Sequence, residues 1–102
     1  MEYIEVEKTG IQPVVVEEIR DFAGRYDVDQ VILFGSRARG DYSRTSDIDL
    51  AVSGGDVTRF SLDVGEDTST LLMFDVIDLS RPVSEELMKA ISREGKVLYE
   101  KV

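Results

Sequence analysis

The stretch Gly35-Ser36-Arg37-Ala38-Arg39-Gly40-Asp41-Tyr42-Ser43-Arg44-Thr45-Ser46-Asp47-Ile48-Asp49-Leu50 constrains the fold more than any other part of the chain. It begins where the apolar run Val31 to Phe34 stops at a glycine and a serine, and it ends with carboxylates alternating with aliphatic residues. This pattern reads as strand, turn, strand, because side chains along a β-strand alternate between faces. Asp47 and Asp49 then project from one side, and Ile48 and Leu50 from the other. One face is free to hold a cation while the other packs on a core.

Each residue type here has a physical use. Gly35 adopts positive φ readily and lets backbone approach a ligand, and a turn of exposed N–H groups leading into a short helical segment attracts anions. Ser36 adds a hydroxyl donor. Two aligned carboxylates supply the hard oxygen ligands that Mg²⁺ takes, its shell being completed by water and substrate phosphate. With a third carboxylate from a neighbouring strand, two metal ions about 3.5 to 4 Å apart would clamp the attacking and leaving oxygens of an in-line displacement. The pair alone is a weak signal, since an acidic chain contains about one Asp-x-Asp by chance. Asp27 and Asp29 show this: they share the spacing but have no preceding Gly-Ser, and they read as a solvated loop between a helix and a strand.

Composition narrows the chemistry further. The 102 residues suit one domain with a single modest core, so residues 1–102 are read as one unit. Lys and Arg number 12 against 21 Asp and Glu, a net charge of -9, which opposes an extended grip on a nucleic-acid backbone. The chain has no cysteine and no histidine, which removes disulfides, thiolate metal sites and the commonest general base. Carboxylate chemistry with oxygen-bound metal is what remains. Met1 to Lys8 lacks the basic start and unbroken apolar run of a signal peptide, and no stretch approaches membrane-spanning length, so a cytoplasmic location is expected.

Along the chain, Tyr3, Ile4 and Val6 fit either a short strand or a loose tail. Pro13 suits a first helical turn, and Val15, Ile19, Phe22, Ala23 and Tyr26 recur at helical spacing. Val31 to Phe34 reads as a strand covered on both faces, and a second strand is expected from Ser46 to about Val52. Between them, Arg37, Arg39 and Arg44 gather positive charge; they either face a triphosphate or neutralise nearby aspartates, while Asp41 and Tyr42 are expected in exposed loop. Asp56 is placed to cap a helix from about residue 57, and Leu72 to Leu79 reads as a third strand. That strand carries Asp75 and Asp78, which face opposite sides, so only one can join Asp47 and Asp49. Asp75, between Phe74 and Val76, is expected to be buried and therefore to need a cation; Asp78 is expected to be served by solvent. Ser84 reads as the cap of a last helix with Val83 and Met88 as a hydrophobic staple, Leu87, Met88, Ala90 and Ile91 facing inward, and Gly95 stopping it. Val97 to Tyr99 returns as an edge strand or tail. The order predicts an α/β or α+β domain, a small mixed β-sheet covered by helices.

Gly35-Ser36, ten residues, then Asp47-Ile48-Asp49 resembles the signature of the DNA polymerase β-type nucleotidyltransferase superfamily. Ala38-Arg39-Gly40 and Ser46 to Leu50 resemble its minimal members, the MntA-type antitoxins paired with HEPN-domain partners. The resemblance runs from about residue 13 to Tyr99. It implies a polymerase β-like fold and transfer of AMP from ATP to an acceptor hydroxyl, with Asp47, Asp49 and Asp75 holding two Mg²⁺ ions and Asp75 helping to deprotonate the acceptor. It also implies that Gly35 and Ser36 hold terminal phosphates and that Arg39 offsets leaving-group charge. The implied acceptor is a tyrosine of a HEPN-type toxin in a microbial cytoplasm. An idle module that neutralises its partner by contact, or a small-molecule adenylyltransferase of aminoglycoside type, stands as the alternative; base preference and homo-oligomerisation stay open.

Overall fold

The computed structural model describes residues 1–102. Its first helix, α1, spans Pro13–Arg25, with proline at the first turn where an N–H would lack an intrahelical partner. It is followed by strand β1 (Gln30–Phe34), a one-turn helix α2 (Ser36–Arg39) and strand β2 (Ile48–Ser53). Helix α3 (Val57–Glu66), strand β3 (Phe74–Asp78), helix α4 (Glu85–Glu94) and strand β4 (Lys96–Glu100) complete the order. Asp56 caps α3 by accepting the Arg59 N–H at 3.1 Å, and Ser84 caps α4 by accepting the Leu87 N–H at 3.1 Å, both as the sequence predicts.

The four strands form one mixed sheet in the order β3-β2-β1-β4. β1 runs antiparallel to both β2 and β4, whereas β2 and β3 are parallel, joined by the α3 crossover. Alternation along β2 sends Ile48, Leu50 and Val52 into the larger core with Val15, Ile19 and Phe22 of α1 and Phe60 and Val64 of α3. The opposite face carries a smaller cluster of Ile32, Phe34, Ala51 and Ile91, the last contributed by α4. This is the expected α+β arrangement of a mixed sheet covered by helices. The N-terminal tail adds to it: Ile4 N–H donates to the Val97 carbonyl at 2.9 Å, and Val6–Lys8 makes a 3-10 turn.

Two local expectations are corrected and a third is met in an unusual way. β2 starts at Ile48, so Asp47 lies just before the strand rather than within it. Met88 faces solvent, because the inner face of α4 is the row Leu87, Ala90, Ile91, with Leu87 and Ile91 packed on the smaller cluster. Gly95 stops α4 as expected, and does so with an extended φ of -62°. A Cβ there would press on the Ile91 carbonyl and on Ile32, so the position needs a missing side chain, not a special dihedral.

The loop from Gly40 to Asp47 is held by a residue whose role the sequence did not reveal. Arg37 is only 2% exposed and pairs with no carboxylate. Its Nε donates to the Ser46 carbonyl at 3.0 Å, Nη1 to the Thr9 carbonyl at 3.0 Å, and Nη2 to the Ser43 and Arg44 carbonyls at 3.4 Å each. The Tyr42 ring, half-buried rather than in open loop, stacks 4.9 Å from the guanidinium. Taking a cation out of water costs several kcal/mol, and these acceptors offset that cost only together. Replacing Arg37 by Ala is expected to lower stability by about 3 kcal/mol in urea denaturation, with Arg37→Lys recovering only part, since an ammonium lacks the planar fork. An unchanged midpoint for Arg37→Ala would show that the loop stands without it.

Candidate active site

The turn after β1 is dictated by one contact. Gly35 has φ of 77°, a left-handed conformation that side chains disfavour, and a Cβ there would collide with the Asp49 carboxylate. Glycine is therefore needed both for the turn and to leave room for the acid. Ser36 begins α2 directly beyond it, half-buried, and Gly40 ends the helix with φ of 91° while its N–H bonds to the Ser36 carbonyl at 2.8 Å.

Sheet register assembles the acids. Asp49 stands opposite Phe34 of β1 on one side and Asp75 of β3 on the other. Ile48, Leu50 and Val52 point to the larger core, with Phe74 and Val76 of β3 packed against it, which turns Asp49 and Asp75 to the α4 side of the sheet. The two are adjacent on parallel strands about 4.8 Å apart. Asp47 lies two residues before Asp49 and near enough that its charge acts on it. Burial pushes the Asp49 carboxyl up to about 6, and the negative charges of Asp75 and then Asp47 add to the shift, opposed by Arg39.

The burial argument for Asp75 is overturned. β3 is an edge strand, and Asp75 is exposed. Asp78 is the less exposed of the two: it accepts the Ser80 N–H at 2.9 Å and the Ser80 hydroxyl at 2.6 Å, with Arg81 at 3.5 Å, and these partners hold its carboxyl below the usual range. It lies at the far end of β3, opposite Val52, away from the other acids. Asp75 thus joins Asp49 through register, not through burial. Asp27 and Asp29 are exposed, and Asp27 pairs with Lys101 at 2.6 Å, which agrees with the solvated-loop reading.

The arginines divide. Arg37 is a buried strut, as described above, and does not face the acids. Arg39 is at the turn but engaged, its Nε 3.2 Å from Asp41 and its Nη1 donating to Glu94 at 3.0 Å. Arg44 is exposed in the loop. Glu94 itself was missed by the sequence reading: its side chain is 12% exposed, and it accepts the Gly35 N–H at 3.3 Å. A signal existed, because Glu94 follows Leu87 and Ile91 on the inward face of α4, where an acid is out of pattern.

No three acidic side chains converge closely enough here to form a closed cation cage. The donor set nevertheless fits a hard divalent ion. It consists of carboxylate oxygens, one of them driven toward protonation by burial and further by its acidic neighbours, and a cation between them would relieve that repulsion.

The family described as polymerase beta, nucleotidyltransferase matches residues 17–102. A Methanocaldococcus jannaschii protein that carries the name of a protein adenylyltransferase is 36% identical over 81 residues, covering 71% of this chain and 79% of that one. Among solved structures, a chain of a toxin–antitoxin crystallised with AMP-PNP superposes with a TM-score of 0.66 at 24% identity, covering 84% of this chain and 73% of that one. A chain of the toxin–antitoxin MntA-HepT gives 0.64 at 20% identity over 88% and 74%. At those identities the likeness is one of fold.

The raised Asp49 carboxyl has a measurable consequence. A carboxyl whose folded value lies above its unfolded one binds more protons when folded, so its contribution to stability declines as pH climbs from about 4 through about 6. In metal-free buffer at pH 7.5, Asp49→Asn is expected to be more stable than the native chain by on the order of 1–2 kcal/mol, after screening of a partly exposed group. Urea curves should show the gap closing toward pH 4; an equal gap at both pH values would contradict the assignment.

Proposed function

The chain belongs to the polymerase β nucleotidyltransferase family and is a nucleotidyltransferase, and from that premise we propose that it moves AMP from ATP onto an acceptor hydroxyl. The observation that carries this reading is the row formed by Asp49 and Asp75 on parallel strands beside the Gly35 turn, with Asp47 just ahead of it. In the proposed reaction the acceptor oxygen bonds to the α-phosphorus, the bond from that phosphorus to the bridging oxygen breaks, and pyrophosphate leaves. The acceptor proton passes to Asp75, whose exposure on an open edge lets a bulky substrate reach it.

Asp47, Asp49 and Asp75 would hold Mg²⁺, with two ions as the expected number. Bound there, the metal supplies charge neutralisation at the phosphates and orientation of the attacking oxygen. The Gly35 N–H and the Ser36 hydroxyl would hold the terminal phosphates, and Arg39 would offset charge on the departing pyrophosphate. AMP and ATP are supported by the adenylyltransferase name of the relative and by the ATP analogue in the similar toxin–antitoxin structure. The proposed acceptor is a tyrosine of a HEPN-type toxin partner, which would make this chain an antitoxin of the cytoplasm. Support for the partner comes from the MntA-HepT likeness and from the access at β3.

Asp47→Asn, Asp49→Asn and Asp75→Asn are each expected to lower transfer at least about a thousandfold while leaving the fold intact. The measurement is passage of label from α-labelled ATP with Mg²⁺ to the partner protein, alongside circular dichroism. Native-level transfer in one variant would remove that carboxylate from the reaction. If Asp47→Asn still neutralised a toxic partner, contact rather than transfer would be the means of neutralisation.

A further inference from the structure

Glu94 is the last residue of α4, where the helix dipole disfavours negative charge, and it also lies near enough to Asp49 to oppose that group's ionisation. It is held there by three donors. Oε1 accepts the Gly35 N–H at 3.3 Å, and Oε2 accepts Arg39 Nη1 at 3.0 Å with Arg93 Nη2 at 3.5 Å. Both carboxylate oxygens are thus turned to N–H groups, which is the surrounding of an anion and not of a cation ligand. Gly35 and Arg39 are the same groups that the proposed reaction assigns to the nucleotide's phosphates.

We propose that Glu94 is a specificity-determining residue, an internal substitute for a phosphate group that a nucleotide must displace to engage Gly35 and Arg39. The inference rests on the nucleotidyltransferase reading of this turn. A carboxylate carries one negative charge, so a metal-bound polyphosphate competes with it effectively, while a nucleoside has no anionic group to offer those donors. Glu94 then sets a threshold: the turn yields to polyphosphates and stays closed to ligands of lower charge. Displacement also releases Arg39 from Glu94.

The test is calorimetric titration of the native chain, Glu94→Gln and the control Glu86→Gln with magnesium and a non-hydrolysable ATP analogue, pyrophosphate, AMP or adenosine. Glu86 is exposed in the first turn of α4 and touches none of these groups. Glu94→Gln is expected to bind pyrophosphate and the analogue about 3- to 10-fold more tightly, to narrow the preference for analogue over AMP, and to leave adenosine unchanged. Glu86→Gln should match the native chain. Equal or weaker polyphosphate binding by a folded Glu94→Gln would overturn the proposal and leave the nucleotidyltransferase reading standing; absence of analogue binding to every chain would overturn both. In the native chain, the ¹³C carboxyl resonance of Glu94 should move when the analogue is added. A resonance that stays still while the analogue binds overturns the proposal, whether or not the variant folds.

Discussion

The register of β2 against its two neighbours is the constraint from which the rest follows. With Asp49 level with Phe34 and Asp75, Ile48, Leu50 and Val52 enter the core beneath α1 and α3. A slip of one residue would exchange the two faces, burying acids among Phe60 and Val64 and exposing aliphatic side chains. Core packing and acid placement are thus one requirement. The hydrophobic face of the strand keeps the acids where they are, even though they repel one another.

That repulsion is tolerated because everything near it is arranged around space and charge. Gly35 yields room to the Asp49 carboxylate, and Arg39 lies close enough to counter its burial. The chain as a whole carries a charge of -9, so a cation-poor site within it is under electrostatic tension in the absence of ligand. A divalent cation would bring the missing positive charge.

Much of this was legible in the chain because it rests on short-range rules. The alternation Ile48-Asp49-Leu50, the caps at Asp56 and Ser84, and the proline at the start of α1 each express local geometry, and each appears where expected. What failed depended on partners distant in sequence. Asp75 looked buried because Phe74 and Val76 flank it, but whether a strand is central or at an edge is decided by other strands. Met88 looked internal because helical spacing tolerates a shift of one position. Arg37 and Glu94 were missed for a related reason: their partners lie in backbone groups brought close only by folding, Thr9 for one and Gly35 for the other.

Arg37 gives the loop before Asp47 an unusual kind of anchorage. Carbonyl oxygens do not titrate in water, and a guanidinium keeps its proton throughout the range in which proteins survive. Most charges on this chain pair, if at all, at the surface, where dissolved ions weaken them, whereas the bonds from Arg37 to Ser46 and Thr9 are sheltered. The backbone leading into the acids is therefore fastened by groups indifferent to acidity and ionic strength, so changes of medium reach the carboxylates themselves before they loosen the frame that carries them.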